Sequence, residues 1–293
     1  MAYDVALEFR TVHPILTDEP TRTFDWATIG QVTLTDGGAA FPYGHKVTAT
    51  MRGFQTADSA QSKGNALKRL LILSGAAGPV AIDVTSNPKI IDTTPQSGML
   101  PGLLISATAT TRWRAETFRS KISAMEHFAA IATDHQMTCA SLINDSFFVA
   151  GAESQFILRI SAVEALCEQP TKSPRILQAI AALQARLKDC DLESDERAAL
   201  ASMLQGATRR SVGQSYKEKF RECDMVEHVK EFDDLYDRRS RLLHDGIGLG
   251  DLGEANDKAL NIAATLLAGD VKREFHKQPT LLQASAPERQ GGR

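Results

Sequence analysis

The apolar residues of this chain change their period part-way along, and that change most limits the folds open to it. Up to about residue 112 they alternate in twos. Val5/Leu7/Phe9, Val32/Leu34, Val47/Ala49/Met51 and Val80/Ile82/Val84 each place apolar side chains on one face of an extended strand. From about Ala115 they recur every three or four residues, the spacing of amphipathic helices. Strands first and helices afterwards predict an α+β chain: a mixed α/β domain over residues 1–112, then an all-helical bundle over 115–270. At 293 residues, each part is long enough to bury a core of its own.

One helix interrupts the first part. Asp58 or Ser59 is placed to cap it, Ala66, Leu67, Leu70 and Leu71 form its apolar face, and Gly75 falls just beyond its end. Residues 92–102 are rich in turn formers, and a last strand is expected over Leu103 to Thr111. In the second part the pattern predicts helices near 116–137, 149–168, 174–188, 194–206, 214–243 and 253–269, with a break near Asp224 inside the fifth. The connections are short, as in an up-down bundle. Residues 277–293 carry Pro279, Pro287, Gly291 and Gly292 with little periodicity and read as a disordered tail.

Composition removes several classes of function. The net charge is −3, so no global basic field draws the chain to nucleic acid or a membrane, and any polyanion site is local. Cys139, Cys167, Cys190 and Cys223 are scattered, with no paired spacing for zinc and no disulfide framework. No apolar run is long enough to span a bilayer, and the first residues lack the basic and apolar regions of a signal peptide. A cytoplasmic protein without metal or cofactor is the expectation.

The most unusual charges lie in the segment from Leu235 to Gly246. On an ideal helix with Phe232 at zero, Met225 and Leu243 fall at roughly 20°, Tyr236 at roughly 40°, Val229 at roughly 60° and Leu235 at roughly −60°, which defines an apolar stripe. Arg239 falls inside it, at roughly −20°, whereas Arg238 and Arg241 point away. A guanidinium on a packed face requires a carboxylate, a phosphate or carbonyl groups, because a buried charge without a partner is very costly. His244 falls at the stripe's margin, on an edge shared with Asp237 and Ser240, roughly 140° from Arg239. A second helix is therefore needed to bring the two into one groove. Upstream, Glu164 sits within the stripe of Phe156, Ile160, Val163 and Cys167, and is the matching partner for Arg239.

Other features carry less. Glu126/His127 and Asp134/His135 on one expected helix suggest a metal face, but solvated helix residues account for them. Arg209, Arg210 and Lys217 form a local basic run that could follow an RNA backbone or be solvated surface. Gly246, Gly248, Gly250 and Gly253 follow a helix, whereas a dinucleotide loop follows a strand, so they read as a connector.

The run Arg239-Ser240-Arg241-Leu242-Leu243-His244 resembles the Arg-x4–6-His motif of HEPN domains. With the preceding Leu235-Tyr236-Asp237 and the helix Ile160 to Leu166 carrying Glu164, the chain is similar to the Apea-like HEPN group over roughly residues 115–270. The resemblance implies a helical bundle that forms a homodimer, with the Arg-His motifs of both subunits facing one cleft. It implies a metal-independent endoribonuclease, often found in defence or toxin–antitoxin systems and held by an inhibitor or antitoxin protein. In that chemistry His244 acts as base or acid at the RNA 2′-hydroxyl, Arg239 stabilises the phosphorane, Ser240, Asp237 and Glu164 support them, and the product is a 2′,3′-cyclic phosphate. The alternative is a non-catalytic module that binds nucleotide or RNA, or that serves only to dimerise.

Overall fold

The computed structural model describes residues 2–16, 19–40, 44–78, 81–84, 86–93, 115–245 and 250–277. The chain is α+β. Strands β1 (Tyr3–Thr11), β2 (Thr21–Trp26), β3 (Gly30–Ala39) and β4 (His45–Phe54) precede helix α1 (Ala57–Ala76) and the short strands β5 (Ile82–Asp83) and β6 (Lys89–Asp92). All pair antiparallel, in the order β2-β3-β4-β1-β5, with β6 also on β1. The alternation in the sequence is the alternation in the sheet: Val5, Leu7 and Phe9 of β1, Val32 and Leu34 of β3, and Val47, Ala49 and Met51 of β4 are buried on one face. Helix α1 covers that face with Leu67, Leu70 and Leu71.

Strand β1 meets two short partners along its outer edge. β6 pairs with Tyr3 to Ala6 and β5 with Arg10 and Thr11, and between them the Ser86 hydroxyl donates to the Glu8 carbonyl at 2.9 Å. The buried Asp83 carboxylate accepts from Arg10 across the same edge.

Two details of α1 differ from expectation. Its cap is Thr56, whose hydroxyl accepts from the Ser59 amide at 3.1 Å, rather than Asp58 or Ser59. Gly75 is inside the last turn rather than beyond it. A side chain there would meet Asn144 Oδ1 at 2.5 Å and the Ile82 amide at 2.8 Å, so the glycine permits close approach. Asn144 uses that space to join three elements. Its amide donates to the Ile72 carbonyl at 2.8 Å, and its Oδ1 accepts from the Ile82 amide at 3.0 Å.

The helical part runs α2 (Ala115–Ile131), α3 (Asp134–Asp145), α4 (Ala152–Ala165), α5 (Pro174–Arg186), α6 (Ser194–Gly206), α7 (Val212–Glu222), α8 (Val229–Asp245) and α9 (Gly253–Lys277). The single helix expected over 116–137 is two. Thr133 and Gln136 form a reciprocal capping box that starts α3, and α3 then runs through residues expected to lie between helices. Helix α9 also extends eight residues past its expected end, to Lys277. The strand expected over 103–111, most of the turn-rich stretch before it and nearly all of the tail lie outside the described residues.

Helices α1, α3, α4 and α9 share one continuous apolar cluster with the sheet. A buried polar knot ties three of the helices. Asp270 of α9 accepts from Gln136 of α3 at 2.9 Å and from Lys219 of α7 at 3.1 Å. By contrast α5 and α6 stand away from this cluster as an antiparallel arm. Its stem is held by main-chain bonds from the Lys172 amide to the Thr208 carbonyl, 2.9 Å, and from the Arg210 amide to the Pro170 carbonyl, 3.0 Å.

Candidate functional site

The residues around Arg239 are placed by a break and an aromatic cluster. The expected helix over 214–243 is interrupted at Asp224, which adopts a left-handed conformation with φ of 56°. Helix α7 ends just before it and α8 starts after a short 3-10 turn. Tyr216 and Phe220 of α7 then pack against Phe232 and Tyr236 of α8, with ring centroids 4.9–6.3 Å apart. Phe220 and Phe232 are fully buried, each burial contributing roughly 1.5–3 kcal/mol. The Tyr216 hydroxyl donates to Asp233, fixing the rotation of α8.

With α8 oriented this way, Arg239 reaches α4. Its Nη2 donates to Glu164 Oε2 at 3.2 Å, the pairing expected from the two stripes. The guanidinium also lies over the Tyr236 ring, 5.8 Å from its centroid. The Tyr236 phenol lies near the same Glu164 carboxylate. Burial, and then the charge of Glu164, push the Tyr236 phenol above its ordinary value. Arg239 and Glu164 remain 21% and 22% exposed, so the pair sits at an opening rather than in the core. Arg239 Nε is buried without a hydrogen-bond partner.

The last turn of α8 is open. Leu243, assigned to the stripe, is 47% exposed, because among the described residues no neighbour covers this turn. Met225, assigned to the same stripe, precedes α8 and is buried from the break instead. His244 is exposed and Ser240 half-buried. Arg239 and His244 are about 7.5 Å apart along the axis and roughly 140° apart around it, so one subunit does not place both on one face. Asp237 faces elsewhere, into a groove of about 680 Å³ between α8 and α9, with Arg238, Arg241, Glu254 and Lys258. Residues 246–249 of the glycine-rich connector lie outside the described residues.

The basic run is largely paired. Arg210 makes an ion pair with Glu218, and Lys217 reaches Asp233 at 3.1 Å, leaving Arg209 exposed. Among the described residues no group of three metal-binding side chains converges. Glu126 is buried rather than solvated. It accepts from the Thr28 amide at 2.6 Å and the Thr28 hydroxyl at 2.9 Å, tying α2 to the turn between β2 and β3. Burial pushes Cys167 up to about 12 and Cys223 up to about 11, and holds Cys139 well above its ordinary value. These thiols stay protonated at neutral pH and offer no nucleophile. Tyr236, placed in the stripe by its spacing, is also part of the site: it lies three residues before Arg239 on the same face, under the guanidinium.

Compared with protein-family models, curated proteins and solved structures, the chain finds no match. Among the described residues no helix is long and apolar enough to cross a membrane.

Proposed function

We propose that this chain is a HEPN-type endoribonuclease that needs no metal ion, with its active cleft shared between two subunits. The observation that supports this best is the setting of Arg239. Glu164 and Tyr236 hold its guanidinium at an opening between α4 and α8, beside a last turn that leaves His244 exposed. Cleavage of RNA by its own 2′-hydroxyl needs a base, an acid and a cation at the phosphorus. One His244 takes the proton from the 2′-oxygen, which attacks phosphorus. Arg239 stabilises the charge on the phosphorane oxygens. The partner subunit's His244 gives a proton to the leaving 5′-oxygen, and the products are a 2′,3′-cyclic phosphate and a 5′-hydroxyl.

The test is cleavage of single-stranded RNA by purified protein in EDTA, with the ends identified chemically. His244→Ala is expected to lower the rate by at least ~100-fold while melting as wild type does, since an exposed substitution is worth about ±0.5 kcal/mol at most. Equal cleavage by the variant sinks the reading.

A second reading is favoured by the ion pair itself. Glu164 accounts for Arg239 without any chemistry, as a pin between α4 and α8 in a non-catalytic RNA-binding or dimerising module. Absence of cleavage by wild type, together with a lowered melting temperature in Arg239→Ala, selects that reading.

A further inference from the structure

A groove of about 350 Å³ runs between α1, α2 and the turn joining β2 to β3. Its walls include Ile29 of the turn, Ala66 and Leu70 of α1, and Ala129 and Ala130 of α2. Volumes of this order hold small molecules, and such sites set a few placed polar groups among apolar walls. Glu126 of α2 supplies one of them. It lines the groove, although the residue is only 5% exposed.

The Glu126 carboxylate is half used. Oε2 accepts from both the Thr28 amide and the Thr28 hydroxyl, whereas Oε1 has no hydrogen-bond partner among the described residues. Oε1 is not sealed off either, so the groove is its route to solvent or to a ligand. Among the described residues Glu126 has no ion-pair partner. Neighbouring cations are committed elsewhere. Lys63 donates to the Thr28 carbonyl at 2.8 Å. Arg69 donates to the Ala129 carbonyl at 3.4 Å and to the Ala132 carbonyl, and faces Asp134 at 3.8 Å. Those carbonyls lie at the C-terminal end of α2, the negative pole of the helix, so Arg69 offsets a charge that the helix itself creates. A carboxylate buried to this extent therefore lacks the counter-charge that burial ordinarily demands. The Ser62 hydroxyl, also lining the groove, has no partner among the described residues and adds an acceptor.

We propose that this groove binds a small organic cation, a protonated primary amine carried on an apolar body. The ammonium donates to Glu126 Oε1 and to the Ser62 hydroxyl, and the body lies against Ala66, Leu70 and Ala129. The ligand completes a joint that Glu126 already makes between the helices and the sheet. The groove shares no residue with the opening around Arg239 and Glu164, so the assignment stands whether or not the chain cleaves RNA.

Isothermal titration of the full chain with benzylamine, benzyl alcohol and benzoate at neutral pH tests it. The three share one apolar body and differ in charge. Benzylamine is expected to bind with a Kd of about 0.1–1 mM, and benzyl alcohol about tenfold more weakly, because a hydrogen bond between charged groups separates them. Benzoate should not bind measurably. Glu126→Gln keeps an oxygen for Thr28 but turns a donor toward the groove, so it should melt near wild type and bind benzylamine no better than the alcohol. Ala130→Trp, at an exposed position on the groove's wall, should remove binding of both. Should Glu126→Gln fail to fold, Ala130→Trp decides alone. Alcohol or benzoate bound as tightly as the amine, benzylamine bound unchanged by either folded variant, or no binding by wild type at millimolar concentration leaves Oε1 merely hydrated and overturns the proposal.

Discussion

Replacing Arg239 and Glu164, singly and together, separates a structural pin from a displayed cation. The pair is 3.2 Å apart, and each side chain is about four-fifths buried. At an effective dielectric of 20, charges at that distance attract by about 5 kcal/mol, most of it offset by the cost of drying them. Removing one partner of a fully buried pair costs about 3–5 kcal/mol, and an exposed pair is worth about 0–1 kcal/mol. With a fifth of each side chain still in water, Arg239→Met is expected to cost about 2 kcal/mol. Loss of the guanidinium from the Tyr236 ring adds about 0.5 kcal/mol. Glu164→Gln, which keeps an acceptor, should cost about 1 kcal/mol. Urea denaturation of wild type, the two singles and the double is then expected to give a coupling of about 1 kcal/mol. For a chain of this size, Arg239→Met should melt about 4–6 °C below wild type. A coupling below about 0.3 kcal/mol, within the range of independent sites, refutes the pin and leaves Arg239 to be explained by a ligand alone.

Two pH dependences follow from the other buried pairs. Burial pushes Asp270 up, but the Gln136 hydrogen bond, Lys219 and Arg273 outweigh it and hold the carboxyl below its ordinary value. A depressed carboxylate contributes stability that is full above the unfolded value, ~3.9, and fades as pH falls through the folded one. Urea midpoints of wild type should therefore drop below pH 4, while Asp270→Asn should start lower at neutral pH and drop less; parallel curves would contradict this. At the alkaline end, burial and then the Asp233 hydrogen bond raise the Tyr216 phenol, as burial and Glu164 raise Tyr236. Their stabilisation is full below the unfolded value, ~10, and is lost as pH rises above it. Phenolate absorbance from these two should appear only with unfolding, and its appearance in folded protein would count against their burial.

Much of the fold was legible because burial and period agree. β1 alternates along most of its length, and β3 and β4 over Val32/Leu34 and Val47/Ala49/Met51, whereas β2 has only Phe24 and Trp26 buried at its end and β6 is an exposed edge. The boundary between α2 and α3 was hidden because the apolar spacing runs across it, although Thr133 followed by Gln136 is a readable cap. Glu164 and Arg239 could be paired from sequence because each falls within its helix's apolar stripe, although Arg159 is the more deeply buried charge of α4. Asp270 gave no such sign: Arg273 lies one turn along the same helix, but Lys219 and Gln136 lie 51 and 134 residues away, and only the packing of three helices brings them to it. The exposure of Leu243 was equally invisible, since a helical wheel records direction but not where a neighbour ends.

The outer edge of β1 bears on the chain's behaviour in a crowded solution. A sheet margin of unpaired main-chain groups is a template on which another molecule can add a strand. Here β5 and β6 occupy the two ends of that margin in series, and the Ser86 hydroxyl takes the carbonyl between them. An incoming strand therefore finds no continuous row of donors and acceptors on β1, only a stepped border broken at its middle. One serine hydroxyl thus helps keep the sheet finite, and polymerisation through this margin would first require β5 or β6 to peel away.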